Sequence, residues 1–188
     1  MYIARILYPV KVLGPGNRIG IWFAGCHHKC KGCSNPELWK ADEKYFVTIE
    51  QVEKLIRTVA VGHEIDGFTI TGGDPVEQAD ELTNLLTRVV DISQDVILYT
   101  GYQIKELTSD AQIKLLDRIS VLIDGEYKED LNDGAFLRGS SNQMIHILSD
   151  QYRDKYEKYI RGNHNEIQNF MINNEVISVG IHNKEFRF

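Results

Sequence analysis

Residues 19–33 read IGIWFAGCHHKCKGC, an apolar run followed at once by a loop that holds all three cysteines of the chain, Cys26, Cys30 and Cys33. A nearly continuous apolar run of this length predicts a short buried strand over residues 19–24. Thiolates are soft ligands that favour iron–sulfur clusters, zinc or copper(I). The stretch therefore predicts a metal centre at the end of a buried strand.

The C-x3-C-x2-C spacing of this loop leaves two kinds of centre open. Three thiolates from one loop can hold three irons of a cubane 4Fe–4S cluster, and the fourth iron is then open to a substrate. The alternative is a zinc site that His27 or His28 completes and closes. In a cluster loop, the two histidines are donors around the cluster or solvated residues. Lys29 and Lys31 then either offset the negative charge of the cluster or are simply solvated.

The charge and composition exclude several classes of protein. The chain has 188 residues, with 21 Lys plus Arg against 27 Asp plus Glu and a net charge of −6. An acidic chain is a poor general binder of nucleic acids and anionic membranes, and no apolar run reaches the roughly 18–20 residues of a membrane span. Three clustered cysteines cannot form a disulfide framework. Since the first residues show no signal-peptide pattern, we expect a soluble, cytoplasmic protein with neither nucleic acid nor membrane as a partner.

Short apolar strands alternate with amphipathic helices along the middle of the chain. Thr48 and Gln51 form a T-x-x-Q capping box, which predicts the start of the first helix. Strands are predicted at residues 68–71, 96–100 and 121–123, and two further helices at residues 82–89 and 104–118. This alternation predicts an α/β fold of parallel βαβ units, in which ligands bind at the carboxyl ends of the strands.

A glycine-rich motif, Thr71-Gly72-Gly73-Asp74-Pro75, stands at one of those strand ends. Two glycines let the backbone approach a ligand closely, and exposed carbonyl groups can accept from an ammonium group. The alternative is an ordinary strand-to-helix turn in which the acidic Asp74 suits the helix dipole. A ligand contact predicts that Gly73→Val weakens ligand binding while the metal centre stays in place.

Together, the cysteine triplet and G-G-D-P resemble the motifs of the radical S-adenosylmethionine (SAM) enzymes. Further motifs are similar to one branch of that superfamily, the activating proteins of anaerobic ribonucleoside-triphosphate reductase. They are G-P-G-x-R at residues 14–18, C-x-N-P-E-x-W at 33–39, T-G-Y at 100–102, D-G at 124–125 and R-G-S-S-N-Q at 138–143. The resemblance covers about residues 8–146, three quarters of the chain.

The resemblance implies a set of site residues. The three cysteines would ligate a 4Fe–4S cluster, and SAM would chelate its open iron. The backbone of the glycine motif would hold the amino group of SAM, at Gly72, Gly73 and Asp74. Three residues at strand ends are candidate contacts of the adenine, with loop capping as the alternative for each: Thr100, Tyr102 and Asp124. No catalytic side chain beyond the cluster and SAM is implied.

The resemblance also implies a reaction and its partners. One electron, from a flavodoxin-type donor, would cleave SAM to methionine and a 5′-deoxyadenosyl radical. This radical would take hydrogen from a glycine Cα of the large subunit of the anaerobic reductase. Two alternatives stay open. One is an activase of another glycyl-radical enzyme or another radical SAM enzyme, and the other is a non-enzymatic metal or electron-transfer protein that uses the same three cysteines.

The implied fold is a shortened, incomplete (β/α) barrel of the radical SAM type, formed by a core domain at residues 1–148. A C-terminal extension at residues 149–188 follows, with a helix that ends at Gly162 and a hairpin of strands at residues 167–172 and 176–181. The apolar positions on one face of this helix are Tyr152, Tyr156, Tyr159 and Ile160. We expect the extension either to dock the partner protein or to cover an open sheet edge.

Overall fold

Six strands form one mixed sheet, in chain order, in the computed structural model, which describes residues 1–172 and 174–183. They are β1 (Ile3–Val10), β2 (Arg18–Phe23), β3 (Gly67–Gly72), β4 (Val96–Tyr99), β5 (Val121–Asp124) and β6 (Met144–Ile147). Strands β2 to β5 are parallel to one another, whereas β1 and β6 run antiparallel to them at the two edges. The predicted α/β class and the four predicted parallel strands are confirmed, and the edge strands β1 and β6 are additions to the prediction.

Three helices cover one face of this sheet. They are α1 (Ile49–Ala60), α2 (Ala79–Arg88) and α3 (Asp110–Leu116), and each connects two successive parallel strands. Their buried side chains pack against alternate strand residues such as Ile21 and Ile70. Because successive strand residues point to opposite faces, these helices bury only half of the apolar strand positions. No helix in the described part of the chain is long and apolar enough to span a membrane.

The helix starts follow from local hydrogen bonds. At α1, Thr48 Oγ1 accepts from the amide of Gln51 at 3.3 Å and Gln51 Oε1 accepts from the amide of Thr48 at 2.8 Å, which confirms the predicted capping box.

The helix predicted over residues 104–118 is wrong in its extent. Residues Ile104–Glu106 form a separate 3-10 turn. Helix α3 begins only after Ser109, because the hydroxyl of Ser109 caps the amide of Gln112 and so starts a new helix.

The C-terminal part of the chain forms a helix and a hairpin. Helix α4 (Arg153–Gly162) is followed by β7 (Ile167–Ile172) and β8 (Glu175–Gly180), which pair antiparallel as a separate two-stranded sheet. The predicted helix end at Gly162 and the predicted hairpin are thereby confirmed. Asn173 in the predicted turn and residues 184–188 lie outside the described residues.

This C-terminal segment covers the face of the sheet opposite to α1–α3. Tyr156 of α4 is fully buried against strand residues that include Ile97 and Ile123. Val179 of β8 packs into a second apolar cluster with Val10 and Trp22. The apolar strand positions that the three connecting helices leave open are thus buried by residues from the end of the chain.

A buried ion pair anchors α4 to the sheet. Arg18 and Asp95 are both buried, with Arg18 Nη2 3.3 Å from Asp95 Oδ1. From α4, Lys155 Nζ lies 2.7 Å from Asp95 Oδ2, and the hydroxyl of Tyr156 donates to Asp95 Oδ1. Arg18 Nε also donates to Thr69 Oγ1 at 2.8 Å. The charges of Arg18 and Asp95 are therefore compensated by several hydrogen bonds, as a buried pair requires.

The G-P-G-x-R motif has a structural role around this pair. A Cβ atom on Gly14 would lie 2.7 Å from Cδ of Arg18, and Gly67 is equally close to the same side chain. Both glycines leave room for the buried guanidinium group. The arginine of the motif therefore holds the amino ends of the parallel strands, at the end of the sheet opposite to the cysteine loop.

The hairpin does not extend the main sheet. Beside the apolar packing of Val179, the side chain of Gln168 makes hydrogen bonds at the end of β1. Its Nε2 donates to the carbonyl of Pro9 at 2.8 Å, and its Oε1 accepts from the amide of Lys11 at 3.0 Å. The hairpin therefore lies against the end of β1 and over the sheet face. Its two strands pair with each other in a separate sheet.

Candidate metal centre

The three cysteines lie in one loop directly after β2. Cys26, Cys30 and Cys33 are half-buried and line a single cavity at the carboxyl end of the parallel strands. The start of the loop is fixed by backbone bonds to the segment that follows it, from the amide of Gly25 to Leu38 and from the amide of Cys26 to Trp39. The sequence thus places the cysteines at the strand end where an α/β sheet binds its ligands.

The turns of the loop bring the three side chains to one side. Lys29 and Gly32 have positive φ values of 50° and 72°. Gly32 favours this left-handed backbone, and a side chain at that position would also crowd the carboxylate of Glu129. Lys31 is strongly exposed, and its Nζ lies 3.1 Å from Glu129 Oε2. The charge of Lys31 is therefore directed to Glu129.

The donor set fits an iron–sulfur cluster. Burial raises the pKa of the Cys26 thiol, and it raises the pKa of Cys30 to about 11, so binding of the thiolates to a metal must release protons at neutral pH. The amide of Asn35 donates to Cys33 Sγ at 3.4 Å, which is the kind of bond that tunes cluster sulfurs. A cubane takes each thiolate on a different iron, so three cysteines from one loop suit a 4Fe–4S cluster.

The two histidines of the loop contact carboxylates. His27 is 87% exposed, and its Nδ1 lies 2.8 Å from Glu77 Oε2. The side chain of His28 is mostly buried, and its ring lies 4.5 Å from the ring of Tyr102. Its Nε2 lies 3.3 Å from Asp74 Oδ2, but the geometry is not that of a hydrogen bond. The contact with Asp74 raises the pKa of His28. Both imidazoles thus face acidic residues of the next loop, which favours their interpretation as donors around the centre over a role in a closed zinc site.

The glycine motif packs directly on the cysteine loop. The amides of Gly73 and Asp74 donate to the carbonyls of Phe23 and Gly25, each at 2.7 Å. A Cβ atom on Gly73 would overlap with the carbonyl of Gly25, and Gly72 has a φ of 111° and lies equally close to the backbone of Phe23. Both glycines line the cavity. Their small size is therefore already required by the approach of two backbone segments within the chain.

The side chain of Asp74 is used inside the protein. It is 1% exposed and accepts hydrogen bonds from the hydroxyl of Thr100 at 2.9 and 3.0 Å, from the amide of Gly101 at 2.9 Å and from the amide of Val76 at 3.1 Å. It thereby joins the loops after β3 and β4 and caps the turn that leads into α2. Thr100 lines the cavity, with its hydroxyl directed to Asp74.

Tyr102 and Asp124 are not among the described residues that line this cavity. Asp124 Oδ2 accepts from the amide of Ile104 at 2.7 Å and lies 3.1 Å from Nε2 of His146. The ring of Tyr102 packs on His28, and its carbonyl accepts from the amide of Gly125 at 3.1 Å. Among the described residues that line the cavity, Thr100 and Gly101 come from the loop after β4, and the loop after β5 contributes Gly125, Tyr127, Gly139 and Gln143.

The cavity has further lining residues that no sequence pattern singled out. Trp39 Nε1 and Tyr99 Oη belong to lining residues, and both atoms are buried with no hydrogen-bond partner in the described part of the chain. A buried polar group without a partner is costly, so a ligand with a polar group beside Trp39 Nε1 would relieve that cost. On another side, Gln143 Nε2 donates to the carbonyl of Gly125 at 2.7 Å and its Oε1 accepts from the amide of Gly139 at 2.8 Å, which explains the final residue of R-G-S-S-N-Q.

The chain is similar to a cluster-binding family over most of its length. Residues 12–146 match the family described as "4Fe-4S single cluster domain". All three cysteines, the glycine motif and every other lining residue named above fall inside this range.

Similar curated proteins identify the family more closely. The chain is 35% identical over 148 residues to the anaerobic ribonucleoside-triphosphate reductase-activating protein of Salmonella typhimurium, with 75% of this chain and 96% of that protein covered. It is 35% identical over 144 residues to the protein of that name from Enterobacteria phage T4, with coverage of 74% and 90%. For the protein of that name from Vibrio cholerae, the identity is 37% over 147 residues, with coverage of 74% and 94%. The chain belongs to the family of anaerobic ribonucleoside-triphosphate reductase-activating proteins.

Proposed function

We propose that this chain is a radical SAM activase that generates a glycyl radical on anaerobic ribonucleoside-triphosphate reductase. The observation that carries the proposal is the cavity at the carboxyl end of the parallel strands, because one loop presents three cysteines to it. Three thiolates from one loop leave one iron of a 4Fe–4S cluster open, which is the position that SAM needs. The family and its named relatives support the reductase as the partner.

We propose Cys26, Cys30 and Cys33 as the cluster ligands. The chemistry that the cluster and SAM supply is one-electron cleavage of SAM to methionine and a 5′-deoxyadenosyl radical, which takes a hydrogen atom from a glycine Cα of the reductase. The chain's own residues hold and enclose this chemistry. The amide of Asn35 stabilises the sulfur of Cys33, and the walls of the cavity surround the three cysteines.

For SAM, we propose that the backbone of Gly72, Gly73 and Asp74 borders the amino group. The position of Gly72 and Gly73 on the cavity wall, beside the cysteines, supports this assignment. Their amides are either paired with the strand or directed to Phe23 and Gly25, so carbonyl oxygens are the groups that would accept from the ammonium of SAM.

For the adenine, we propose that Thr100 borders the ligand directly. Tyr102 and Asp124 would act through their neighbours, since Tyr102 packs on His28 and Asp124 holds the amide of Ile104.

We further propose that the sheet is the shortened, incomplete barrel of the radical SAM type. Four parallel strands with helices on one face, and a cysteine loop after the first of them, support this assignment. The core domain would comprise residues 1–148 and the extension residues 149–188, a division supported by the family match, which ends at residue 146. A flavodoxin-type electron donor and a cytoplasmic location complete the proposal.

Reductive cleavage of SAM tests this function. The protein is purified and loaded with iron and sulfide without oxygen, and then mixed with SAM and a strong one-electron reductant. Methionine and 5′-deoxyadenosine are expected in equal amounts, and the Cys30→Ala variant should form neither. A protein with the iron and sulfide content of a 4Fe–4S cluster that leaves SAM intact would contradict the proposal. A protein that binds zinc and no iron would support the closed metal site instead.

A further inference from the structure

The C-terminal hairpin reaches the cavity that holds the cysteines. Residues Ser178, Val179, Gly180, Ile181 and His182 line it together with the cysteine loop and the glycine motif. These residues lie well beyond residue 146, where the family match ends. Three quarters of this chain already cover 96% of the Salmonella typhimurium relative. One side of the cavity is therefore built from a segment that the shared part of the family does not include.

This side of the cavity is firmly held. Val179 is 2% exposed and packs among residues of β1, β2 and the loop between them, including Leu13 and Trp22. Gly180 has a φ of 140°, and a Cβ atom there would overlap with the carbonyl of Glu166, so the strand end passes close to the start of β7. This packing is typical of an ordered part of the fold.

The segment just after the hairpin also contacts the loop that follows β5. Nδ2 of Asn132 donates to the carbonyl of His182 at 3.0 Å. Asn132 follows the 3-10 turn Glu129–Leu131, and Glu129 in that turn pairs with Lys31 of the cysteine loop. The segment that ends the described chain is thus linked through one short turn to the loop that carries the cysteines.

The hairpin makes one half of the cavity apolar. Val179 and Ile181 stand beside Leu13, Trp22 and Tyr99, whereas the cysteines and the glycine motif form the polar half. An apolar wall that faces a few polar groups is the usual construction of a small-molecule site.

We propose that residues 178–181 are a wall of the SAM cavity, so that the C-terminal extension determines SAM affinity and the access of solvent to the cysteines. The inference rests on the proposed function, because that function supplies SAM as the ligand. It adds a binding role to an extension for which partner docking and coverage of the sheet are the other roles.

Two matched substitutions in the full chain test the wall. Ile181→Trp adds volume at a lining residue just after β8, and Val176→Trp places the same side chain on β8 at a position that is 59% exposed. SAM affinity is measured by equilibrium dialysis on cluster-loaded protein, with iron content as the check on the cluster. Overpacking should weaken SAM binding by about tenfold in Ile181→Trp, and Val176→Trp should stay within about twofold of the natural chain. Equal affinities for both variants, or an equal loss in both, would overturn the proposal.

A second pair of variants needs neither SAM nor the cluster. Ile181→Ala removes wall atoms and should let iodoacetamide modify the three cysteines of the cluster-free protein severalfold faster than in the natural chain, whereas Val176→Ala should not change the rate. Unchanged rates of cysteine modification in Ile181→Ala would overturn the proposal that residues 178–181 form a wall of the cavity. If the natural chain neither holds iron nor binds SAM, the proposed function fails, and the alkylation rates still decide whether the hairpin encloses the cysteines.

Discussion

The hydroxyl of Thr100 lies 2.9 Å from Oδ1 and 3.0 Å from Oδ2 of Asp74, and it donates its hydrogen bond to this buried carboxylate. The contact joins the loop after β3 to the loop after β4, next to the cysteines. Because Asp74 also accepts from the amides of Gly101 and Val76, one carboxylate holds the loops after β3 and β4 together at the edge of the cavity.

Thr100→Val should therefore destabilise the protein. The substitution keeps the shape of the side chain and leaves Asp74 without one donor, which costs about 1–3 kcal/mol in the free energy of unfolding. Urea denaturation of the cluster-free protein measures it. The control is Thr83→Val in α2, whose hydroxyl is buried with no hydrogen-bond partner in the described part of the chain, so it should change stability little. A similar effect of both substitutions would show that Asp74 does not depend on the Thr100 hydroxyl.

Gly73→Val should unfold the loop as well as weaken SAM binding. Sequence patterns alone predict a specific loss of SAM, but a Cβ atom at this position overlaps with the backbone of Gly25. Overpacking against backbone should cost about 3 kcal/mol and reduce iron content together with SAM affinity. The control is Gly162→Ala at the end of α4, where the space around the added atom is open. Full iron content with a selective loss of SAM binding would show that Gly73 is needed for SAM binding and not for the structure of the loop.

Each of Cys26→Ala, Cys30→Ala and Cys33→Ala should prevent stable assembly of the cluster. Two thiolates leave two irons without protein ligands, and the iron content after anaerobic reconstitution should fall accordingly. His27→Ala is the matched control in the same loop, since His27 is 87% exposed and contacts Glu77. It should keep its iron. A cysteine variant with full iron content would disprove that cysteine as a ligand.

Tyr156→Ala should show that the extension is part of the fold. The side chain is fully buried and its hydroxyl donates to Asp95, so its removal should cost about 3–5 kcal/mol of stability. Lys158→Ala, at an exposed position of the same helix, should have little effect.

Because Tyr156 and Val179 of the extension are buried against the sheet, a chain that ends at Leu148 should be unstable or insoluble. A soluble, stable truncated chain that still cleaves SAM would instead favour a docking role for the extension.

The parallel strands and the first helix could be predicted because their signals are local. The apolar run at residues 19–24 and the capping box of Thr48 and Gln51 need no distant partner. The edge strand β6 is different. Its four residues follow a polar run and are only partly buried, so its identity as a strand depends on pairing with β5.

The residues of the candidate site likewise differ in whether a local sequence pattern predicts them or their position depends on distant contacts. The cysteine spacing alone brings Cys26, Cys30 and Cys33 to one cavity, as the loop predicts. Glycine patterns are less specific, because Gly73 is needed for the approach of Gly25 whether or not a ligand binds beside it. The wall formed by Val179 could not be predicted, since its position depends on packing against strands that are more than 150 residues away in the sequence.

The most direct test of the activase function is the electron paramagnetic resonance spectrum of the partner. The cluster-loaded chain, SAM and a strong one-electron reductant are mixed without oxygen with the anaerobic ribonucleoside-triphosphate reductase of the same organism. The spectrum should show a glycyl radical on the reductase when all components are present, and none when Cys33→Ala replaces the natural chain. A cluster-loaded chain that cleaves SAM but leaves the reductase without a radical would contradict this function.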